Sequence, residues 1–198
     1  MPATLPLSKP AIRKQLLALR EQLAPELRAA YSAAISARII QHTAYRHAAS
    51  ILGYMSFGTE FASDGWIRQV LAEGKRLALP RVNRHANRLD LYWVEDPEYQ
   101  LEPGLWGIRE PVVERCERLT TLNEVEFALL PGVAFSRYGA RLGYGGGFYD
   151  KLLAGVLHRP VLAAAAYALQ IVEFIPQETT DVTVDWLITE REEIACPG

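Results

Sequence analysis

A chain of 198 residues, 49% hydrophobic and 22% charged, with a net charge of −2, has the make-up of a globular protein long enough to bury a sizeable core. The near-neutral balance gives no general pull toward nucleic acid or an anionic membrane. Cys116 and Cys196 are the only cysteines, and their spacing excludes both a disulfide framework and a structural zinc site while suiting a reducing compartment.

Met1–Lys9 lacks an apolar core of signal-peptide length. The longest apolar run, Val161–Leu169, is far short of the ~20 residues that span a bilayer. A single domain over residues 1–198, cytoplasmic and without nucleic-acid or membrane partners, is therefore expected.

Residues 8–42 read as a pair of helices. Ile12, Leu16, Leu19 and Leu23 recur at helical spacing, with Arg13, Lys14, Arg20 and Glu21 assigned largely to other faces. Pro25 suits the first turn of the second helix, whose stripe is Leu27, Tyr31, Ile35 and Ile39. Lys9 and Arg13 are four apart and point the same way if the first helix begins early; a solvated basic helix end is the plainer account of such a pair.

Ile51–Phe57 reads as a strand, Gly58-Thr59 as a turn, and Trp66, Ile67, Val70 and Leu71 as the inner face of a helix closed by Gly74. Arg76–Val82 follows as a strand stopped at or just beyond Pro80. Strand, helix and strand at this spacing favour a right-handed parallel crossover. Glu60 then falls at the carboxyl end of a strand, where open α/β sheets bind ligands, although a carboxylate at a helix start is also what the macrodipole favours.

Arg81–Arg88 reads as a polar loop leading into a hairpin strand, Leu89–Val94. Its three arginines and His85 could hold an anionic tail, a solvated loop being the commoner explanation. Trp106-Gly107-Ile108-Arg109-Glu110-Pro111 reads as irregular, site-forming structure, with a packed tryptophan as the plainer alternative.

Phe127–Pro131 reads as a buried strand ending in the turn Pro131-Gly132. Beyond it lies Arg141-Leu142-Gly143-Tyr144-Gly145-Gly146-Gly147-Phe148-Tyr149-Asp150, and Tyr149–Leu157 is helix-compatible. Strand, glycine loop and helix start form a layout that brings backbone N–H groups close to an anion. Arg141 adds a permanent planar charge and Asp150 a possible magnesium ligand. Glycines alone serve turns and close packing equally well, and the loop matches neither a Walker nor a dinucleotide fingerprint. Val161–Tyr167 reads as a strand buried on both faces. Thr180–Thr189 reads as a last strand preceded by Asp181 and Asp185. There is no H-E-x-x-H, no G-x-S-x-G elbow and no repeat.

Leu130-Pro131-Gly132-Val133-Ala134-Phe135 and Gly139–Asp150 closely resemble the signature of the 5-formyltetrahydrofolate cyclo-ligases, also called methenyltetrahydrofolate synthetases. Lys9-x-x-x-Arg13, Glu60 before its helix, Gly74-Lys75 to Pro80-Arg81, Trp106-Gly107-Ile108-x-Glu110-Pro111 and Asp181-x-x-x-Asp185 agree in order and spacing. The resemblance covers nearly the whole chain.

It implies a mostly parallel, twisted α/β sheet flanked by helices, akin to the isomerase and CoA-transferase folds. The implied activity is an ATP- and Mg2+-dependent ligase acting as a monomer on 5-formyltetrahydrofolate, with or without a polyglutamate tail. Lys9, Arg13 and the loop Arg141, Leu142, Gly143, Tyr144, Gly145, Gly146, Gly147, Phe148 and Tyr149 are then ATP contacts, with Arg141 and Tyr149 serving catalysis. Met55, Glu60 and Trp106, together with Tyr144, Gly145, Gly146, Gly147 and Phe148, are folate contacts. Asp150 and Asp181 are the magnesium ligands.

Thr180 replaces the usual His or Asn, and Gly146 stands where some members carry Lys. Two alternatives belong to other classes: a non-catalytic nucleotide- or folate-binding regulator on the same fold, and an ATP-independent isomerase or acyl-CoA transferase.

Overall fold

A computed structural model describes residues 8–197; most of the segment read for a signal sequence, residues 1–7, lies outside that range. In chain order the elements are α1 (Lys9–Glu21), α2 (Pro25–Gln41), α3 (Thr43–His47), β1 (Ser50–Leu52), α4 (Ser63–Ala72), β2 (Arg76–Asn83), β3 (Arg88–Val94), α5 (Pro97–Gln100), β4 (Leu101–Pro103), β5 (Arg109–Pro111), β6 (Arg118–Leu119), β7 (Phe127–Leu130), β8 (Ala134–Ser136), β9 (Arg141–Leu142), α6 (Phe148–Leu153), β10 (Val161–Ala165), β11 (Ile171–Val172), β12 (Trp186–Ile188) and β13 (Glu193–Ala195). The main sheet runs β13-β12-β10-β7-β1-β2-β3-β6, with β2, β1, β7, β10 and β12 parallel, β3 and β13 antiparallel to their neighbours β2 and β12, and β6, antiparallel to β3, running again in the direction of β2. This is the expected α/β class.

Alternation along the strands divides the core. Ile51, Leu77, Phe127, Leu129 and Ile188 face α2, α3 and α4, where Ile35, Ile39, Tyr45 and Trp66 are buried. Leu52, Ala78, Ala128, Leu130 and Leu187 face the opposite side, with Leu153 of α6. Because both faces are covered, β7 and β10 are apolar without interruption, as parallel strands require.

A second, small sheet, β11-β8-β9, carries α1. Ile12 and Leu16 pack on Val133, Ala134, Ala140, Leu142 and Ile175. Each such burial contributes about 1.5–3 kcal/mol, which is what docks the first helix beside the glycine loop.

The topology fixes where ligands meet the sheet. From β1 the chain crosses through α4 to β2 on one side, and from β7 it crosses to β10 on the other. The carboxyl ends of β1 and β7 therefore open at a switch point. That divergence also shortens β1 relative to the expected Ile51–Phe57. Gly53 N–H makes a last bond to the Ala78 carbonyl at 2.9 Å, and Tyr54 and Met55 continue beyond the ladder as buried chain.

Pro80 does not stop β2. β1 ends at Leu52, opposite Ala78, so Pro80 has a ladder neighbour only on the β3 side, and a missing N–H is tolerated on the side that β1 has vacated. The helix expected over Tyr149–Leu157 closes at Leu153; Gly155 has φ +73° and Leu157 is 87% exposed. Val161–Tyr167 narrows to β10 and Thr180–Thr189 to β12.

Candidate functional site

The glycine loop leaves β9 and enters α6 through Gly147, which caps that helix in the left-handed region at φ +63°. Only glycine adopts this without cost. Gly146 has a different reason: a Cβ there would stand 2.7 Å from the Phe148 ring, which folds back over it. The N–H groups of Tyr144, Gly145, Gly146 and Gly147 donate no hydrogen bond among the described residues, and Tyr144, Gly145 and Gly146 are exposed. A run of unengaged amides in an exposed loop is what an incoming anion uses. Since α6 is only six residues long, its dipole adds less than the expected longer helix would.

α1 lies along this loop and pins it. Arg13 Nε donates to the Gly143 carbonyl at 2.7 Å, and its guanidinium lies against Gly145. Its two terminal nitrogens make no hydrogen bond among the described residues. Lys9 Nζ bonds Asp181 Oδ2 at 2.7 Å and Glu178 Oε1 at 2.9 Å. The helix therefore starts early enough to carry both, Arg13 on the loop and Lys9 on the Glu178–Asp181 turn. Burial pushes the Asp181 carboxyl up, but hydrogen bonds from Lys9 and from the Glu178 N–H outweigh it and hold the group below its ordinary value.

Arg141 is almost wholly buried and bonds Asp150 Oδ1 at 2.8 Å. The same oxygen accepts from the Val182 N–H at 3.1 Å, so Asp150 sits beside Asp181. Among the described residues no group of three or more His, Cys, Asp or Glu side chains could hold a metal. The fit to magnesium is nevertheless sound. Asp150 Oδ2 and Asp181 Oδ1 make no hydrogen bond among the described residues, and Mg2+ commonly takes one or two carboxylates and completes its shell with phosphate and water.

Glu60 closes the opposite side. It is 8% exposed, and Oε2 accepts the Phe57 N–H at 2.8 Å, so the carboxylate closes the turn ahead of α4, which begins at Ser63, and does not cap that helix. Burial raises its pKa; the Phe57 N–H, Arg20 and the Tyr144 hydroxyl partly offset this. Behind it, the Tyr167 hydroxyl donates to the Glu60 carbonyl at 3.0 Å and meets Ser32 Oγ at 3.1 Å. Gln170 Nε2 holds the Gly132 and Val133 carbonyls. Burial, then Glu60 nearby, raises the Tyr149 phenol, which stays a proton donor near neutral pH. Burial pushes Tyr144 up to about 12. The Phe57 and Tyr144 rings meet edge to face, 6.0 Å between centroids, as an exposed lip over Glu60.

The contacts thus gather Lys9, Arg13, Glu60 and Arg141–Asp150 with Asp181 around the glycine loop, and Met55 is buried on the chain leaving β1. Trp106 is not packed: it is 65% exposed at a turn between β4 and β5 with φ +58°, and makes no hydrogen bond or ring contact with the loop among the described residues. Asp185 turns instead to Arg159 and the Leu162 N–H.

Three participants were not anticipated. Arg20, assigned to an outer face, is 2% exposed and bonds Tyr144. Its spacing of seven from Arg13, two helical turns, was the available signal. Glu178 pairs with Lys9. Lys151 Nζ ties the Asn87 carbonyl (3.3 Å) to that of Gly146 (3.5 Å), fastening the β2–β3 turn to the loop. Beside that turn a cavity of about 500 Å3 is lined by Arg81, Arg84, His85 and Glu110.

A model of the 5-formyltetrahydrofolate cyclo-ligase family matches residues 7–190. The chain is 29% identical over 195 residues to a probable 5-formyltetrahydrofolate cyclo-ligase of Caenorhabditis elegans, covering 94% of each. It is 30% identical over 173 residues to the 5-formyltetrahydrofolate cyclo-ligase of Escherichia coli K12, covering 86% of this chain and 93% of that one. Among solved structures, Aquifex aeolicus 5,10-methenyltetrahydrofolate synthetase aligns with TM-score 0.84 at 33% identity, over 96% of this chain and 93% of that one. A 5,10-methenyltetrahydrofolate synthetase from Mycoplasma pneumoniae aligns with TM-score 0.74 at 20% identity, over 93% and 99%, a likeness of fold alone.

Proposed function

The chain belongs to the 5-formyltetrahydrofolate cyclo-ligase family, and from that premise we propose that it closes 5-formyltetrahydrofolate to 5,10-methenyltetrahydrofolate at the expense of ATP. The formyl oxygen attacks the γ-phosphorus and ADP departs. N10 then attacks the activated carbon of the iminium phosphate, and loss of phosphate completes the ring. No protein nucleophile is required, because such transfers depend on positioning and charge neutralisation.

The observation that carries this reading is the row of unengaged amides from Tyr144 to Gly147, flanked by Arg13 and Lys9 of α1. These groups hold the ATP phosphates, Arg13 through its unoccupied nitrogens. Arg141 aims Asp150, which with Asp181 would hold magnesium; the ion would supply neutralisation of phosphate charge. Tyr149 donates its hydroxyl toward the transferring oxygen. Glu60 accepts from the pterin amino and ring N–H groups, beneath the Phe57–Tyr144 lip, with Met55 on the apolar side and Phe148 where folate and phosphate meet. Trp106 stacks on the substrate from the β4–β5 turn. The cavity beside Arg81, Arg84 and His85 takes the carboxylates of a polyglutamate tail. Unpaired thiols at Cys116 and Cys196 suit a cytoplasmic monomer.

The test is absorbance at the methenyl product's band, with purified protein, 5-formyltetrahydrofolate and magnesium, with and without ATP. An ATP-dependent rise that vanishes in Asp150→Ala supports the ligase and its metal site. Tight binding of either ligand with no rise would instead establish the non-catalytic binding protein.

A further inference from the structure

On α1, Arg20 shares a face with Lys9 and Arg13, yet unlike them it is sealed from solvent, at 2% exposure. A buried guanidinium is costly unless its donors are used. Nε donates to Thr59 Oγ1 at 2.9 Å and Nη2 to the Tyr144 hydroxyl at 2.6 Å. Nη1 is buried with no partner among the described residues. The guanidinium is thus anchored by Thr59 and Tyr144 alone among the described residues, and both are neighbours of Glu60.

The two partners of Arg20 stand on either side of Glu60: Thr59 precedes it in the chain, and Tyr144 reaches it from the glycine loop. The groups facing the Glu60 carboxylate are Arg20 from α1, the Tyr144 hydroxyl from the loop, the Phe57 N–H, and the phenols of Tyr54 and Tyr149. Arg20 is the cation of that set. Because Nη2 donates to the Tyr144 oxygen, the hydroxyl's own proton must point elsewhere, toward Glu60 or a ligand.

We infer that Arg20 is the positioning residue of the pterin side of the site, keeping Glu60 ionised in its buried setting and fixing Tyr144 as a proton donor. The inference rests on the folate reading of Glu60 given above. Arg20 acts through these two neighbours, whereas Lys9 and Arg13 serve the phosphates.

The experiment measures 5-formyltetrahydrofolate affinity without ATP, by quenching of intrinsic fluorescence, from pH about 5 to 8. It uses wild type, Arg20→Met, Arg20→Lys, Glu60→Gln and the double variant Arg20→Met/Glu60→Gln. Wild-type affinity falls with acid as Glu60 takes up a proton and loses an acceptor. In Arg20→Met that fall moves to higher pH and affinity at neutral pH drops about tenfold. Arg20→Lys, which keeps the charge and so guards against a variant that does not fold, holds the wild-type midpoint while binding more weakly. In the Glu60→Gln background the fall disappears and Arg20→Met costs much less than it does alone.

A folded Arg20→Met with the wild-type midpoint, an Arg20→Lys with a shifted one, or fully additive losses would each overturn the inference while leaving the ligase reading intact. If wild type binds no 5-formyltetrahydrofolate, both fall together.

Discussion

Beside the loop's α1 edge, Asp181 lies 2.7 Å from Lys9, and Asp150 lies 2.8 Å from Arg141. Beside Tyr144 of the same loop, Glu60 has no cation within ion-pairing distance among the described residues, and is set among phenols instead. One loop is therefore flanked by carboxylates built on opposite terms. Each aspartate is matched by a cation that also fixes where it points, which suits a divalent ion and phosphate. The glutamate is held chiefly by burial, which suits recognition of uncharged N–H donors.

Their pH signatures differ in sign. Asp181 has a folded pKa below its unfolded one, so its stabilisation is present above the unfolded value and lost as pH falls through the folded one. Glu60 has a raised folded pKa, so its native form favours the proton. Its contribution becomes unfavourable as pH climbs from the ordinary glutamate value through the raised one.

The sharpest break in this contrast comes from Arg141→Met. It strands Asp150 beside a buried hole, and is expected to lower unfolding free energy by about 3 kcal/mol and turnover by about 100-fold or more, read from urea melts and product absorbance. An unchanged melt would show that Asp150 does not depend on Arg141. Glu60→Gln is next. Folate affinity should fall about 10- to 100-fold with ATP affinity unaltered, while stability at neutral pH holds or rises, because a desolvated carboxylate has gone. A loss of ATP binding in calorimetry would contradict the division of labour.

Lys9→Met should cost about 0.5–1 kcal/mol at neutral pH. Its difference from wild type should close in acid, as Asp181 protonates; a difference that persisted at the lowest pH would rule out the pair as its source. The smallest stability effect belongs to Trp106→Ala, within about 0.5 kcal/mol, with weaker folate binding as its signature. Unchanged folate affinity would remove Trp106 from the site.

The glycine loop was legible because its residues are contiguous, and the parallel strands because β7 and β10 are apolar without a break. Helices α1, α2 and α4 announced themselves by periodicity. What sequence spacing could not convey was arrangement across the sheet. Arg20 reads as a surface residue until a second helical turn is counted from Arg13. Pro80 reads as a terminator until β1 is known to stop opposite Ala78. The short ladders β4, β5, β8, β9, β11 and β13 have too few residues to display a period; they are held by tertiary neighbours instead. Trp106, an apolar residue in a segment read as irregular, gives no sequence sign that it stands outward on a left-handed backbone.

The pairing of Lys9 with Asp181 joins positions 172 residues apart. During synthesis α1 emerges well before the carboxylate that receives its lysine. A growing chain can begin to assemble β1, α4 and β2 from near neighbours long before that contact is available, whereas distant contacts form late and slowly. A truncated or still-tethered chain is thus a scaffold in which Lys9 has no Asp181 to hold it.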